Sequence, residues 1–291
     1  MLRFVIRQQG VNGFGREYYC NVQNGGLESV NVKELTVAAI AELLEDQSLS
    51  AVTMNSLQQD KRVSVSRLLA RWQKKQAALL AEQQRIQNLY RHERVLAAEG
   101  YQLIAGVDEA GRGPLAGPLV VGAVILPLGC HLPSLNDSKK LSARQREELY
   151  DTIREVAISV QHTVIDREAI DQMNIYNATV SGMYQVIGDL EQKPEAVLVD
   201  AVPLPALTIH SLSLIGGDGI SASIGAASII AKVERDRLMM EFDLQYPHYG
   251  FARHKGYGTP EHLRALQKYG PCPIHRKSFE PIKSWGKEAC E

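Results

Sequence analysis

LIAGVDEAGRGPLAGP, residues 103–118, begins as an apolar strand and ends as a glycine- and proline-rich turn. The strand runs straight into Asp108 and Glu109 and then into Gly111-Arg112-Gly113. Adjacent strand residues point to opposite faces. Both carboxylates can therefore serve one site only if the strand ends or bends there, which the glycines permit. GRGPLA (residues 111–116) also matches the dinucleotide-binding pattern GxGxxG/A, but that pattern needs a helix next to hold the pyrophosphate. Here Pro114, Pro118 and the β-rich LVVGAVIL (residues 119–126) follow instead, so the nucleotide-cofactor reading is set aside.

Outward from this stretch, short Val- and Ile-rich runs separated by a Gly/Pro turn read as buried strands at Leu103–Val107 and Leu119–Leu126, and further strands are expected at Ile158–Ile165, Ala196–Val199 and Thr208–Ile215. Helical patterns cover Ala143–Val156, Tyr176–Leu190 and Ser221–Phe242. The expected class is α/β, a central sheet flanked by helices. Upstream, Lys33–Asp46 has apolar residues at helical spacing, and Ser64–Ala98 lacks Gly and Pro, which predicts a long helix. Trp72, Leu79 and Ile86 recur every seven residues on it, as expected of a helical hairpin with its own small core. The cations Lys61, Arg62, Arg67, Arg71, Lys74 and Lys75 form either a solvated face or a nucleic-acid contact. Gly100 ends the helical region. The expected domains are residues 1–30, unassigned; 31–100, a helical N-terminal accessory domain; and 101–291, the catalytic domain.

The 291 residues carry a formal net charge of -1, so a nucleic-acid surface would have to come from local clustering. Cys20, Cys130, Cys272 and Cys290 form no CxxC pair, which argues against a zinc ribbon and a disulfide framework. The start lacks the apolar core of a signal peptide, and the most apolar run is too short to span a bilayer. A cytoplasmic protein with no membrane partner is the expectation.

Two further carboxylates end apolar runs: Asp200 in VLVD and Asp218 in LIGGD. Acids gathered at one sheet edge repel unless a cation sits among them. Oxygen ligands without His or Cys spacing favour Mg²⁺ or Mn²⁺ over zinc. Four carboxylates suit two ions about 3.5–4 Å apart, the arrangement used for in-line displacement at phosphorus. On spacing alone, unrelated strand-end acids are the alternative.

Six blocks, GVDEAGRGPLAGP, NDSKKLS (136–142), LVD (198–200), SIGAASIIAKVERDR (223–237), YGFARHKGYGT (249–259) and HRKSF (275–279), resemble the bacterial ribonuclease HII, or type 2 ribonuclease H, family in order and content. They span about residues 103–282, and residues 31–100 resemble the helical N-terminal extension of some members. The resemblance implies a ribonuclease H-like fold and an Asp-Glu-Asp-Asp cluster binding Mg²⁺ or Mn²⁺, matched here by Asp108, Glu109, Asp200 and Asp218. It implies as substrates RNA–DNA hybrids and duplex DNA containing single ribonucleotides, cut on the 5′ side to leave 3′-hydroxyl and 5′-phosphate ends. No obligate protein partner is implied.

Gly111, Arg112, Gly113 and Tyr257 match the elements that read the ribose. Lys139, Lys140, Lys255, His275, Arg276 and Lys277, together with Arg253 and His254, lie in matching blocks and are expected to bind phosphate. Asp236 is expected to be a structural ion-pair member, not a ligand. Gly216 stands where the family usually has Lys, removing a basic group near the site, and Gly225 stands where Ala is usual. A catalytically impaired nucleic-acid-binding relative, or a different two-metal nuclease such as a resolvase, is the competing function. Cleavage assays on ribonucleotide-containing and all-DNA substrates separate them.

Overall fold

The computed structural model describes residues 32–45 and 49–284, together with the backbone of four short strands between Phe4 and Leu27. The chain divides into two compact units, Met1–Glu82 and Gln83–Glu291. The first holds two antiparallel strand pairs, β1 (Phe4–Gln8) with β2 (Arg16–Cys20) and β3 (Val22–Gln23) with β4 (Gly26–Leu27). These fall in the stretch that the sequence reading left unassigned. Helices α1 (Val37–Glu45), α2 (Ala51–Gln58) and the long α3 (Val63–Leu89) follow. Ile40, Leu43, Leu57, Val65 and Leu69 form a small core, and Trp72 donates its indole N–H to the Leu44 carbonyl at 2.6 Å. Leu79 is 49% exposed, so the seven-residue stripe is not one continuous seam. Arg62, one of the basic-stretch cations, pairs with Asp60 and donates to the Val32 and Leu35 carbonyls, a structural role.

In the second unit α4 (Arg91–Ala98) follows a break at Tyr90. Then come β5 (Ile104–Ala110), β6 (Leu119–Ile125), α5 (Ala143–Val156), β7 (Ser159–Ile165), α6 (Arg167–Met173), α7 (Ile175–Asp189), β8 (Ala196–Asp200), β9 (His210–Leu214), α8 (Ala222–Gln245), α9 (Phe251–His254) and α10 (Pro260–Tyr269). The five-stranded sheet has the order β7-β6-β5-β8-β9. β6 is antiparallel to both β5 and β7, whereas β5/β8 and β8/β9 are parallel. This is the mixed sheet flanked by helices that the strand and helix patterns call for.

Both faces of the central strands β5, β6 and β8 are buried, while β9 at the edge is largely exposed. Val107, Val121 and Ile125 pack with Ala178, Met183 and Val186 of α7 on one side. On the other, Val124 packs with Leu149 and Ile153 of α5 and Ala226, Ile229 and Ile230 of α8. Ile86, Leu89 and Tyr90 join that second core, and Leu96 packs with Ile104, Ala196 and Leu198. Residues 83–98 are thus part of this unit.

α8 lies hard against the sheet because Gly106 and Gly122 face it. A Cβ on Gly106 would stand 2.0 Å from the Ser223 carbonyl carbon, and one on Gly122 would stand 2.5 Å from the Ala227 oxygen. Ser221 caps the helix by accepting from the Ile224 amide. Among the described residues no helix is long and apolar enough to cross a membrane.

Candidate active site

β5 runs beyond Val107, the end expected from sequence, and pairs with β6 through Ala110. Its parallel pairing with β8 stops at Val107↔Val199. One edge of β5 is therefore open at Asp108 and Glu109, and both residues line one cleft of about 360 Å³ despite their opposite facing. Asp200 closes β8, and its Oδ1 accepts the Gly217 amide at 2.7 Å. Asp218 follows in a single 3₁₀ turn, Gly217–Gly219.

The four acids feel one another. Burial pushes the Asp108 carboxyl well above the usual carboxylate range, and the Glu109 and Asp200 charges push the same way. Burial also raises Glu109, with Asp200 adding to the shift and Arg112 and Lys139 opposing it. Asp218 is raised by burial and by Asp137 and Asp200, against Lys139. Glu109 Oε2 is buried with no hydrogen-bond partner. Among the described residues no three His, Cys, Asp or Glu side chains stand together as a ready-made chelate.

The Gly111-Arg112-Gly113 loop lines the same cleft, with Tyr257 opposite. Gly111 has φ +104°, and a Cβ there would meet the Arg235 Nε at 2.1 Å. A Cβ on Gly113 would lie 3.7 Å from the Tyr257 ring, so a larger side chain would fill the gap between loop and ring. Tyr257 is 46% exposed. The Arg112 Nη1 lies 3.2 Å from Glu109 Oε1.

The expected phosphate-binding cations separate into two groups. Lys139 reaches within 4.0 Å of Asp218 Oδ2 and is otherwise exposed. Burial works against its charge, but Asp218, Asp137, Asp108 and Asp200 together raise its pKa. It supplies positive charge beside the fourth acid although Gly216 cannot. Lys140 pairs loosely with Asp137 at 3.7 Å, Lys277 is exposed, and Lys255 lines a groove of about 480 Å³ with Arg146, Lys232, Arg237 and Arg253. That groove shares Lys232 and Tyr257 with the cleft.

His275 and Arg276 are corrected: they are 1% and 0% exposed and cannot face phosphate. Arg276 spends its donors on the carbonyls of Gly111, Arg112 and Gly117. His254 is likewise buried, its Nε2 2.7 Å from the Tyr249 carbonyl.

Asp236 pairs with Lys232 at 2.6 Å and Arg146 at 3.6 Å. Gly225 is in the first turn of α8, where a Cβ would stand 3.0 Å from the Asp218 carbonyl oxygen, so glycine spares the acid's backbone a close contact.

Four contributors were missed from sequence. Ser228 hydrogen-bonds Asp108 and Ser138, at 3.0 Å. Asp137 crowds Asp218. Buried Arg235 holds the Ala116 and Pro118 carbonyls, with its Cζ 6.0 Å from the Tyr257 ring centroid. Glu93 accepts from the Ser221 hydroxyl and the Ser223 amide at the start of α8. Ser228 and Arg235 lie seven residues apart on one helix, a spacing that places both on one face.

The profile described as Ribonuclease HII matches residues 105–282, and that of the Ribonuclease HII N-terminal domain matches residues 36–97. The chain is 48% identical over 252 residues to the Ribonuclease HII of Geobacillus kaustophilus, covering 87% of this chain and 96% of that one. It is 49% identical over 256 residues to that of Bacillus licheniformis, covering 87% and 99%. The crystal structure of the ribonuclease H2 from Pyrococcus horikoshii superposes with a TM-score of 0.56 at 25% identity, covering 65% of this chain and 99% of that one.

Proposed function

The chain belongs to the ribonuclease HII family, and on that premise we propose that it cuts on the 5′ side of single ribonucleotides in duplex DNA, as well as in the RNA strand of RNA–DNA hybrids, leaving 3′-hydroxyl and 5′-phosphate ends. Family membership makes it a ribonuclease H, an endonuclease that hydrolyses phosphodiesters. The observation that carries the finer reading is Glu109 Oε2, buried and unpartnered beside Asp108 in the one cleft. A buried anionic oxygen without a donor fits a cation. Donors that are all carboxylate oxygens fit Mg²⁺ or Mn²⁺, and Asp108, Glu109, Asp200 and Asp218 would hold two such ions. When bound, the ions supply Lewis acidity to the scissile phosphate and charge stabilisation at the leaving 3′ oxygen.

The chain's own groups orient the reactants. The Gly217 amide fixes Asp200, Ser228 steadies Asp108, and Lys139 places a charge where a phosphate oxygen can meet it. The 2′-hydroxyl is what separates ribose from deoxyribose, and it both donates and accepts. Gly111–Gly113 bring backbone groups close to the sugar while the Tyr257 ring packs on it and its hydroxyl reaches the 2′ oxygen. Lys140, Lys255 and Lys277 supply the salt-sensitive attraction to the backbone.

A duplex with one embedded ribonucleotide tests the reading. Cleavage should stop in EDTA and return with Mg²⁺ or Mn²⁺, and all-DNA duplex should stay intact. Full cleavage in EDTA would overturn it.

A further inference from the structure

Behind the cleft lies a buried cluster that the proposed reaction does not use. His262 and His275 are 0% and 1% exposed, and their Nε2 atoms are 2.9 Å apart. His275 Nδ1 lies 2.9 Å from the Cys272 amide, and His262 Nδ1 lies 2.9 Å from the Tyr257 carbonyl oxygen. Burial keeps both rings neutral by lowering each pKa to about 4.

These contacts fix the protons. A backbone amide only donates, so His275 Nδ1 accepts and the ring carries its proton on Nε2. That N–H donates to His262 Nε2, which leaves the His262 proton on Nδ1, aimed at the Tyr257 carbonyl. In the opposite pair of tautomers His275 Nδ1–H could turn to the Cys272 carbonyl at 3.2 Å. His262 Nδ1 would then face the Tyr257 carbonyl as acceptor against acceptor at 2.9 Å, so the first pair is the one that fits.

The next residue grips the other side of the cleft. Arg276 donates to Gly111 O at 2.6 Å and to Arg112 O and Gly117 O at 3.0 Å each. Its own amide donates to Leu115 O, and the Leu115 amide donates to Gly256 O, beside Tyr257.

We propose that Cys272–Arg276 is a gauge that sets the gap between the Gly111–Gly113 loop and Tyr257, with His262, His275 and Arg276 as positioning residues for ribose discrimination. The proposal rests on the reading of that loop and Tyr257 as the ribose contacts. A chain of neutral, directional hydrogen bonds holds one jaw, and a guanidinium on three carbonyls holds the other. Charge-assisted bonds of this kind are about twice as strong as neutral ones.

The test is a double-mutant cycle on the single-ribonucleotide duplex, at a temperature where all variants stay folded. Glutamine at 262 places its amide near the lost Nε2 and cannot reach the Tyr257 carbonyl, whereas asparagine places an N–H near the lost Nδ1. His262→Gln should lower kcat/KM about tenfold by misplacing the tyrosine. His262→Asn should recover most of that loss while melting lower, since His275 Nε2–H loses its acceptor. In a Tyr257→Ala background, His262→Gln should cost nothing further. Additive losses with Tyr257→Ala impaired would overturn the gauge alone, as would Asn and Gln variants whose rates merely follow their stabilities. A wild-type rate for Tyr257→Ala would overturn the ribose reading and the gauge with it.

Discussion

Gly106→Ala adds one methyl group to β5 directly beneath the first turn of α8. The added carbon would stand 2.0 Å from the Ser223 carbonyl carbon, 2.2 Å from the Ile224 nitrogen and 2.3 Å from the Ser223 oxygen. All three are backbone atoms, so no side chain can rotate away. Restoring an ordinary contact of 3.4 Å requires the helix to lift by roughly 1.4 Å. Glu93 holds that turn through Ser221 and Ser223, and a Cβ on Gly122 would meet the next turn at 2.5 Å. Overpacking costs about 1–3 kcal/mol and occasionally more. With rigid backbone on both sides, a loss of about 3 kcal/mol is expected, or roughly 6–12 °C in Tm for a unit of this size. Calorimetry and urea midpoints measure it. Cleavage should fall as well, because Ser228, Lys232 and Arg235 line the cleft from α8. Gly188→Ala is the control: Gly188 is in α7 with nothing within 4 Å of its would-be Cβ, so that change should stabilise by about 0.4–1 kcal/mol. A Gly106→Ala protein within about 1 kcal/mol of wild type, with an unchanged rate, would refute the close seating of α8 on β5.

Two further outcomes follow from the buried polar groups. His262 and His275 titrate near 4 in the fold against about 6.5 when unfolded. Between those values the unfolded chain binds protons that the native one does not, so stability is full above about pH 6.5 and falls toward pH 4, on the order of 3 kcal/mol per ring. Equal urea midpoints at neutral and acidic pH would contradict this. Glu93 is 2% exposed, and Glu93→Ala leaves two buried donors unpaired, a loss of about 2–4 kcal/mol. Glu93→Gln keeps an acceptor and should lose less, and equal melting of the two variants would show that the carboxylate does not hold α8.

The strands that carry the acids were legible because buried strands read as continuous Val- and Ile-rich runs between Gly and Pro. VLVD thus put Asp200 at the end of β8 without any tertiary information, whereas Asp218 stands past the end of the exposed β9, in the 3₁₀ turn Gly217–Gly219. The end of β5 was not legible, since pairing through Ala110 is decided by β6, not by the local residues. α6 and α9, of seven and four residues, are too short to show a helical period in the sequence. His275 and Arg276 were read as surface cations because charged residues are seldom fully buried. What buries Arg276 is a set of backbone carbonyls about 160 positions away in the chain, which no local pattern records. Asp137 and Ser228 were missed for the same reason: neither ends an apolar run, and each reaches the acids only through the fold.

The most direct test of the account compares cleavage rates of five folded variants on the duplex with one ribonucleotide: Asp108→Asn, Glu109→Gln, Asp200→Asn, Asp218→Asn and Asp236→Asn. Loss of a charged ligand should lower the first four by orders of magnitude. Asp236→Asn, which breaks only the pairs to Lys232 and Arg146, should stay much closer to wild type and lose mainly stability. A near-wild-type rate in any of the first four, with Asp236→Asn inactive yet folded, would contradict the assignment of the cleft's carboxylates.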